Sequence, residues 1–79
     1  MNQMRILGPE GDIKKIWNPD SELECKEIKK EFDRLVKPTI GKAKFRAFRV
    51  DEDGEKAKEM KTFDPKAGKI ILAPIIAGG

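Results

Sequence analysis

The sequence predicts an α+β fold in which one helix packs on a mixed sheet of four to five strands. Only one stretch, residues 21–37, has a clear helical periodicity. Short apolar runs bounded by turn residues flank it on both sides, as is typical of strands. The most apolar run, "KIILA", comes last. A chain of 79 residues allows one small domain with a single thin core.

The first two strands form a predicted hairpin. Residues 4–7 are a short apolar run that stops at "GPEGD", a sequence typical of a turn. The segment Ile13–Trp17 can pair back on this run. Alternation along a strand places Ile13 and Trp17 on one face and Lys14 on the other.

The helix at residues 21–37 has recognisable start and stop signals. Ser21 followed three residues later by Glu24 has the form of a capping box. Pro38 ends the helix, because proline cannot continue the hydrogen-bonding pattern. One helical face of about 100° carries the apolar side chains and is expected to face the core. These are Cys25, Ile28, Phe32, Leu35 and Val36.

The second half of the chain reads as three further strands. In "KAKFRAFRV" the residues Ala43, Phe45 and Ala47 alternate with basic ones, and the later Phe48 and Val50 shift the phase, which indicates a bulge or twist. "DEDGE" supplies a hairpin turn at Asp-Gly. "KAKEMKTF" has residues that favour helix, but the turn before it and the phenylalanine after it favour a strand, which we predict.

The last strand follows a predicted turn at "DPKAGK". "KIILA" is wholly apolar after its lysine, so we predict a buried central strand paired on both sides and covered on both faces. Pro74 must end this strand or lie where its missing N–H does no harm. We therefore divide the chain into a domain at residues 1–74 and a flexible tail at residues 75–79.

The composition excludes several kinds of active site. The chain has no histidine, which removes the usual general base and the commonest metal ligand. Its single cysteine, Cys25, excludes an internal disulfide and a cysteine-based metal site. Charged residues make up 39% of the chain with both signs interspersed, so the net charge of +3 demands no polyanionic partner. We expect no catalysis by the chain itself and no bound metal or cofactor.

The sequence also indicates where the protein works. The start "MNQMRILGPEGD" lacks the basic region and long apolar run of a signal peptide. The terminal apolar run is far shorter than the roughly 20 residues that a membrane-spanning helix needs. We expect a cytoplasmic protein that does not enter a membrane and is monomeric on its own.

The order of the predicted elements and the ending "PIIAGG" resemble the ubiquitin-like β-grasp proteins. The resemblance is to the small sulfur carriers of the MoaD and ThiS type in particular. The segment "FDPKAGKIILAP" is similar to the family's loop, glycine and apolar strand, and the tail resembles a Pro-x-x-small-Gly-Gly ending. The middle segment "VDEDGEKAKEMKTF" is long and charged and matches no motif of these carriers.

The resemblance implies a carrier that is activated at its C-terminal carboxylate. A partner enzyme of the E1 type would adenylate Gly79 with ATP, and the product would become a thiocarboxylate or a thioester. Gly78 and Gly79 would then be the activation residues, threading a narrow channel that side chains would block. Pro74 would stiffen the base of the tail. Docking to the partner would use the residues before the diglycine, which are Pro74, Ile75, Ile76 and Ala77.

Each of these residues also has a plainer interpretation. Gly78-Gly79 is alternatively a disordered or truncated end, and Ile75 with Ile76 alternatively packs on the core. For Cys25, a small hydrophobic residue buried on the apolar helix face is the simpler interpretation, and a redox or acceptor role is the alternative. "KAKFRAFR" interleaves cations with aromatic residues as nucleic-acid surfaces do, but a solvated strand face is the simpler interpretation.

Three functions remain open at the level of the sequence. The proline close to the glycines looks more like the sulfur carriers, which donate sulfur to an acceptor enzyme for cofactor or tRNA sulfuration. A ubiquitin-like modifier, joined to lysines of target proteins, is the first alternative. The second is a noncatalytic β-grasp interaction module of the phage-tail or assembly type.

Overall fold

The computed structural model describes residues 1–50 and 57–75 and shows an α+β domain with one helix and a five-stranded mixed sheet. The sheet order is β2-β1-β5-β3-β4. The elements, in chain order, are β1 (Asn2–Ile6), β2 (Ile13–Trp17), α1 (Glu22–Val36), β3 (Phe45–Val50), β4 (Ala57–Met60) and β5 (Lys69–Pro74). The predicted class and the upper limit of the predicted strand count are confirmed.

Strand β5 lies at the centre of the sheet, as its apolar sequence predicts. It pairs with β1 in parallel, with Met4 opposite Ile70, and with β3 in antiparallel, with Ala47 opposite Leu72. The predicted hairpin of β1 and β2 is also present, with Asn2 opposite Trp17. Strand β5 thus joins the hairpin of β1 and β2 to the pair of β3 and β4.

Helix α1 begins with the predicted serine cap. The Ser21 hydroxyl oxygen accepts a hydrogen bond from the Glu24 N–H at 3.3 Å. The Glu24 carboxylate accepts from the N–H of Asn18, also at 3.3 Å, and the N–H of Ser21 donates to the Asn18 carbonyl at 3.0 Å. The cap therefore reaches one turn further back than a capping box, in which the glutamate would bind the serine N–H.

The helix buries the predicted face against one side of the sheet. Ile28, Phe32 and Leu35 are buried, and Cys25 and Val36 are partly buried against them. The ring of Phe63 lies between those of Phe32 and Trp17, with centroid distances of 5.7 and 5.5 Å. The sheet supplies the remaining core residues, among them Met4, Ile6, Ala47, Ile70 and Leu72.

Two predicted turns are confirmed by their hydrogen bonds. In the first, the Gly11 N–H donates to the Gly8 carbonyl at 3.2 Å, and Gly11 has φ +123°, which favours glycine. In the second, the Asp64 carbonyl accepts from the Ala67 N–H at 3.0 Å. The predicted Asp53-Gly54 turn lies outside the described residues.

Of the bulge or twist predicted in β3, the bulge is wrong. The pairing of β3 with both β4 and β5 runs without interruption, so Phe48 and Val50 simply lie on the face opposite Ala47. A strand with apolar residues on both faces produces the same sequence pattern as a phase shift. The pattern alone therefore does not distinguish a bulge from an unbroken strand.

The prediction that β5 is covered on both faces is also wrong. Ile70 and Leu72 are buried under the helix, but Ile71 and Ala73 on the other face are only half-buried. In the described part of the chain, the single helix covers one face and nothing packs on the other. We call this other face the open face of the sheet.

The edges of the sheet depart from the sequence prediction in two smaller respects. Strand β4 ends at Met60, earlier than the "KAKEMKTF" segment predicts, and the buried Phe63 lies in the loop after it. Ile13 shares a face with Trp17, as its position in β2 requires, but it is 55% exposed and does not belong to the core.

Candidate functional site at the end of the last strand

The end of β5 is where the predicted tail leaves the domain. Pro74 is exposed and lies opposite Phe45, the first residue of β3. It is the last residue of β5, consistent with the requirement that a proline ends this strand or lies where its missing N–H does no harm. The last paired position of the central strand is therefore also a stiff one, because proline fixes its own φ angle.

The main chain remains anchored one residue further. The Ile75 N–H donates to the Lys44 carbonyl at 2.9 Å, and the Lys44 N–H donates to the Leu35 carbonyl in the helix at 3.1 Å. These two hydrogen bonds join the end of β5, the start of β3 and the last turn of α1. The base of the tail is thus held by three elements.

The structure places two of the six predicted site residues, Pro74 and Ile75, side by side at this point. The side chain of Ile75 is 44% exposed and is not part of the core cluster. Of the two interpretations of Ile75, the described structure agrees with the exposed one. The other predicted site residues, Ile76, Ala77, Gly78 and Gly79, lie outside the described residues.

The open face of the sheet carries a feature that sequence reasoning missed. The strand registers place Arg5, Ile71, Phe48 and Glu59 in one row across four strands. The Arg46 guanidinium lies 5.9 Å from the centroid of the Phe48 ring. The row therefore has an apolar centre with charged groups at its sides. Interpreting Phe48 as part of a bulge concealed it, although strict alternation from Ala47 would have placed it here.

Arg46 and Glu59 form a bidentate ion pair beside this apolar centre. The Arg46 Nε and Nη2 atoms donate to the two carboxylate oxygens of Glu59 at 2.9 Å each. The hydrogen bond from Arg46 lowers the pKa of Glu59 and raises that of Arg46. Both side chains are exposed, so the pair is screened by solvent and orders the surface more than it stabilises the fold.

The two arginines of "KAKFRAFR" lie on opposite faces of the sheet. Arg46 binds Glu59 on the open face, whereas Arg49 binds Asp64 at 3.1 Å on the opposite face. Phe45 packs against the core and is only partly accessible. This arrangement agrees with the interpretation of the segment as an ordinary solvated strand.

Cys25 takes the position predicted from the helix periodicity. It packs against the core, and its thiol lies 3.7 and 3.6 Å from the carbonyl oxygens of Asn18 and Pro19. In residues 1–50 and 57–75, His, Cys, Asp and Glu side chains form no group of three or more that could hold a metal ion. Over the same residues, α1 is too short and too polar to cross a bilayer.

Comparisons of the chain with protein-family models, with curated proteins and with solved structures give no match.

The ion pair of Arg46 and Glu59 allows a test of the electrostatics of the open face. Because the pKa of Glu59 is lowered in the folded state, its contribution to stability is present above the ordinary glutamate pKa of about 4.3 and is lost as the pH falls through the folded-state value. We expect Glu59→Gln to lower the Tm slightly at pH 7, and to change it less at pH 3. Thermal unfolding followed by circular dichroism measures both values.

Glu27→Gln is the matched control for this test. Glu27 is exposed on α1 and is in no salt bridge with a described residue, so the same chemical change should leave the Tm unaltered at pH 7. A Glu59→Gln effect that is equally large at both pH values would contradict the assignment of the effect to the ion pair.

Proposed function

We propose that the domain is a ubiquitin-like β-grasp. The strand order β2-β1-β5-β3-β4, the parallel pairing of β1 with β5 and the single helix between β2 and β3 support this proposal. The order of elements along the chain carries the same pattern that the sequence resemblance implies. The pairings make β2 and β3 run parallel in the sheet, and α1 connects them, as a crossover helix does between parallel strands.

We propose further that the protein is a carrier whose Gly79 carboxylate is activated by an adenylating enzyme of the E1 type. One observation carries this proposal. The most apolar strand occupies the centre of the sheet, and its exposed end, anchored at Pro74 and Ile75, leads directly into the sequence Ala77-Gly78-Gly79. A rigid domain then presents a short chain end whose last residues have no side chains.

The chemistry of such a carrier requires little of its own side chains. A Gly79 carboxylate oxygen attacks the α-phosphate of ATP, and pyrophosphate leaves. Hydrosulfide then attacks the acyl carbon and AMP leaves, which gives the thiocarboxylate. A cysteine thiolate of the partner attacking in the same way gives a thioester, from which a lysine amine displaces the thiolate. The partner enzyme supplies the ATP site and the nucleophile, so the carrier contributes its reactive carboxylate and the surface that positions it. The lack of histidine in the chain is consistent with this division of roles.

Sulfur transfer is the version that we propose first. The proline lies close to the glycines, as in the sulfur carriers that the tail resembles. Attachment to lysines of target proteins is the alternative, because it uses the same adenylated intermediate. The two differ in what receives the acyl group: a sulfur atom, which the chain carries until it is passed to the acceptor enzyme, or a lysine amine, which joins the chain to another protein.

The state of the C-terminus in the protein's own cells tests this proposal. The untagged chain is purified from cells grown under several sulfur supplies, and its intact mass and C-terminal peptide are measured by mass spectrometry. We expect a fraction in which sulfur replaces one oxygen of the Gly79 carboxylate. Gly79 found in isopeptide linkage to lysines would instead establish the modifier.

Two results would contradict activation at Gly79 in either form. One is an unmodified carboxylate under every growth condition, with no conjugates. The other is a mature protein in which further residues follow Gly79. Both results would leave an interaction module as the remaining function.

A further inference from the structure

The connection between α1 and β3 lies against the base of the tail. It leaves the helix at Lys37, whose N–H donates to the Asp33 carbonyl at 3.0 Å, and returns to the same helical turn at Lys44. The Lys44 carbonyl then accepts the hydrogen bond of Ile75. We call residues 37–44 together with Ile75 the helix-end surface.

The tip of this connection exposes an isoleucine. The side chain of Ile40 is 90% exposed, more than any other large hydrophobic side chain in the described residues. The next residue, Gly41, has φ +87°, a conformation that favours glycine, so the backbone turns directly after Ile40. Ile40 lines a shallow groove together with Lys30, Asp33, Arg34, Lys37, Pro38 and Thr39. The one acidic residue among these, Asp33, is paired with Lys29 at 2.7 Å. A single exposed isoleucine is ordinary in a protein surface and does not by itself indicate a binding site. The charged residues around Ile40 are therefore needed for that inference.

The connection at residues 37–44 lies in a segment whose charged residues are all positive. Residues 34–50 contain six cations and no aspartate or glutamate. The three arginines among them are paired with Glu31, Glu59 and Asp64. The other three are Lys37, Lys42 and Lys44. All three lysines are exposed, lie in the connection itself and form no salt bridge with a described residue.

The length of the tail limits how far away its partner can be. Gly79 is the fourth residue after Ile75, and an extended chain spans at most about 3.6 Å per residue. The Gly79 carboxylate therefore lies within about 14 Å of Ile75. An enzyme that encloses this carboxylate in its ATP site must bring the rim of the site against the surface around Ile75. That surface includes the connection through Lys44.

We propose that the helix-end surface docks on the adenylating enzyme, on a rim in which carboxylates surround an apolar pocket for Ile40. This proposal rests on the proposed function, which supplies the identity of the partner. The exposed isoleucine fits a protein pocket, and the three lysines fit acidic side chains around it. A nucleic-acid partner fits less well, because such surfaces stack bases on exposed aromatic rings, whereas Phe45, which follows Lys44 in the chain, packs on the core.

Site-specific photo-crosslinking in the protein's own cells tests the proposal. The photoreactive residue p-benzoylphenylalanine replaces Ile40 in one chain and Leu23 in a control chain. Leu23 is 68% exposed on the first turn of α1, at the other end of the helix. We expect a crosslink from position 40, and none from position 23, to an adenylating enzyme. The crosslinked peptide, identified by mass spectrometry, should be rich in aspartate and glutamate.

Charge reversal separates docking from chance proximity. Lys37→Glu, Lys42→Glu and Lys44→Glu together should lower the crosslink yield from position 40 at least tenfold. The matched control reverses three exposed lysines elsewhere, Lys14, Lys26 and Lys66, which gives the same net charge and should leave the yield within twofold. Equal Tm values for the two triple variants show that the loss is not caused by unfolding.

The possible outcomes distinguish this surface from the proposed function. A yield that the first triple variant does not lower, a crosslink to RNA or to a second copy of the chain, or no crosslink from position 40 while Gly79 is still adenylated would overturn the helix-end surface alone. A charge-dependent crosslink to an acidic peptide of a protein that adenylates nothing would overturn the identity of the partner. A charge-dependent crosslink to the adenylating enzyme supports both.

Discussion

Replacing Phe32 with alanine is expected to lower the Tm by about 12–40 °C, the largest effect on stability that we expect from any single substitution in α1. Phe32 is fully buried in the middle of the helix and packs on Phe63, which in turn contacts Trp17. Truncating a buried phenylalanine costs about 3–5 kcal/mol, because the cavity is not refilled. For 79 residues the whole free energy of unfolding is about 4–12 kcal/mol.

The effect is large because, among residues 1–50 and 57–75, a single helix covers one face of the sheet and no second layer packs on the other. The aromatic group of Trp17, Phe32 and Phe63 fills the space between α1 and the loop after β4. The indole N–H of Trp17 also donates to the Pro65 carbonyl at 3.0 Å, so the loop and the hairpin are held through the same group. Loss of the Phe32 ring leaves Phe63 without its helix partner.

Thermal and urea unfolding followed by circular dichroism measure this prediction. Leu23→Ala is the matched control, since Leu23 lies in the same helix but is 68% exposed, and its truncation should change the free energy of unfolding by less than about 0.5 kcal/mol. Equal Tm values for the two variants would show that α1 is not held by this aromatic group.

The helix was the most predictable part of the fold. Its cap at Ser21, its apolar face and its end before Pro38 are all local signals, each readable within a few residues. The central place of β5 was also predictable, because an apolar strand that carries no alternation must be paired on both sides to bury its backbone. These are properties that one segment carries by itself.

What could not be predicted depends on contacts between segments. The sequence does not state how many layers cover a sheet, so Ile71 was expected to be buried and is half-buried. The pair of Arg46 and Glu59 depends on the register of β3 against β4, and the segment containing β4 was ambiguous between helix and strand. Neither outcome follows from the residues near it in sequence.

The candidate site divides in the same way. Pro74 as the end of the last strand was predictable, since proline cannot donate to a strand pairing. The hydrogen bond that ties Ile75 to Lys44 was not, because it joins two residues far apart in the chain. That contact places Lys44, the last residue of the basic connection after α1, beside Ile75.

Deleting Gly79 is the second change for which we expect a very large effect, here on activation and not on stability. The deletion withdraws the carboxylate by one residue, about 3.5 Å, and a misplacement of about 1 Å can already cost 100-fold in rate. We therefore expect ATP–pyrophosphate exchange by the adenylating enzyme of the same organism to fall at least 100-fold. The Tm should change by no more than about 4 °C, as for an ordinary surface change.

Gly78→Ala separates the position of the carboxylate from the width of the channel that admits it. This variant keeps the chain length and adds one methyl group, so we expect a loss of exchange with an unchanged Tm if the last residues thread a narrow passage. Gly68→Ala is the matched control, because a Cβ at Gly68 meets no atom within 4 Å and its φ is ordinary for any residue. It should leave exchange unchanged. Full exchange by the Gly79-deleted chain would show that its C-terminal carboxylate is not the group that the enzyme activates, whereas full exchange by Gly78→Ala alone would show that the passage is wide.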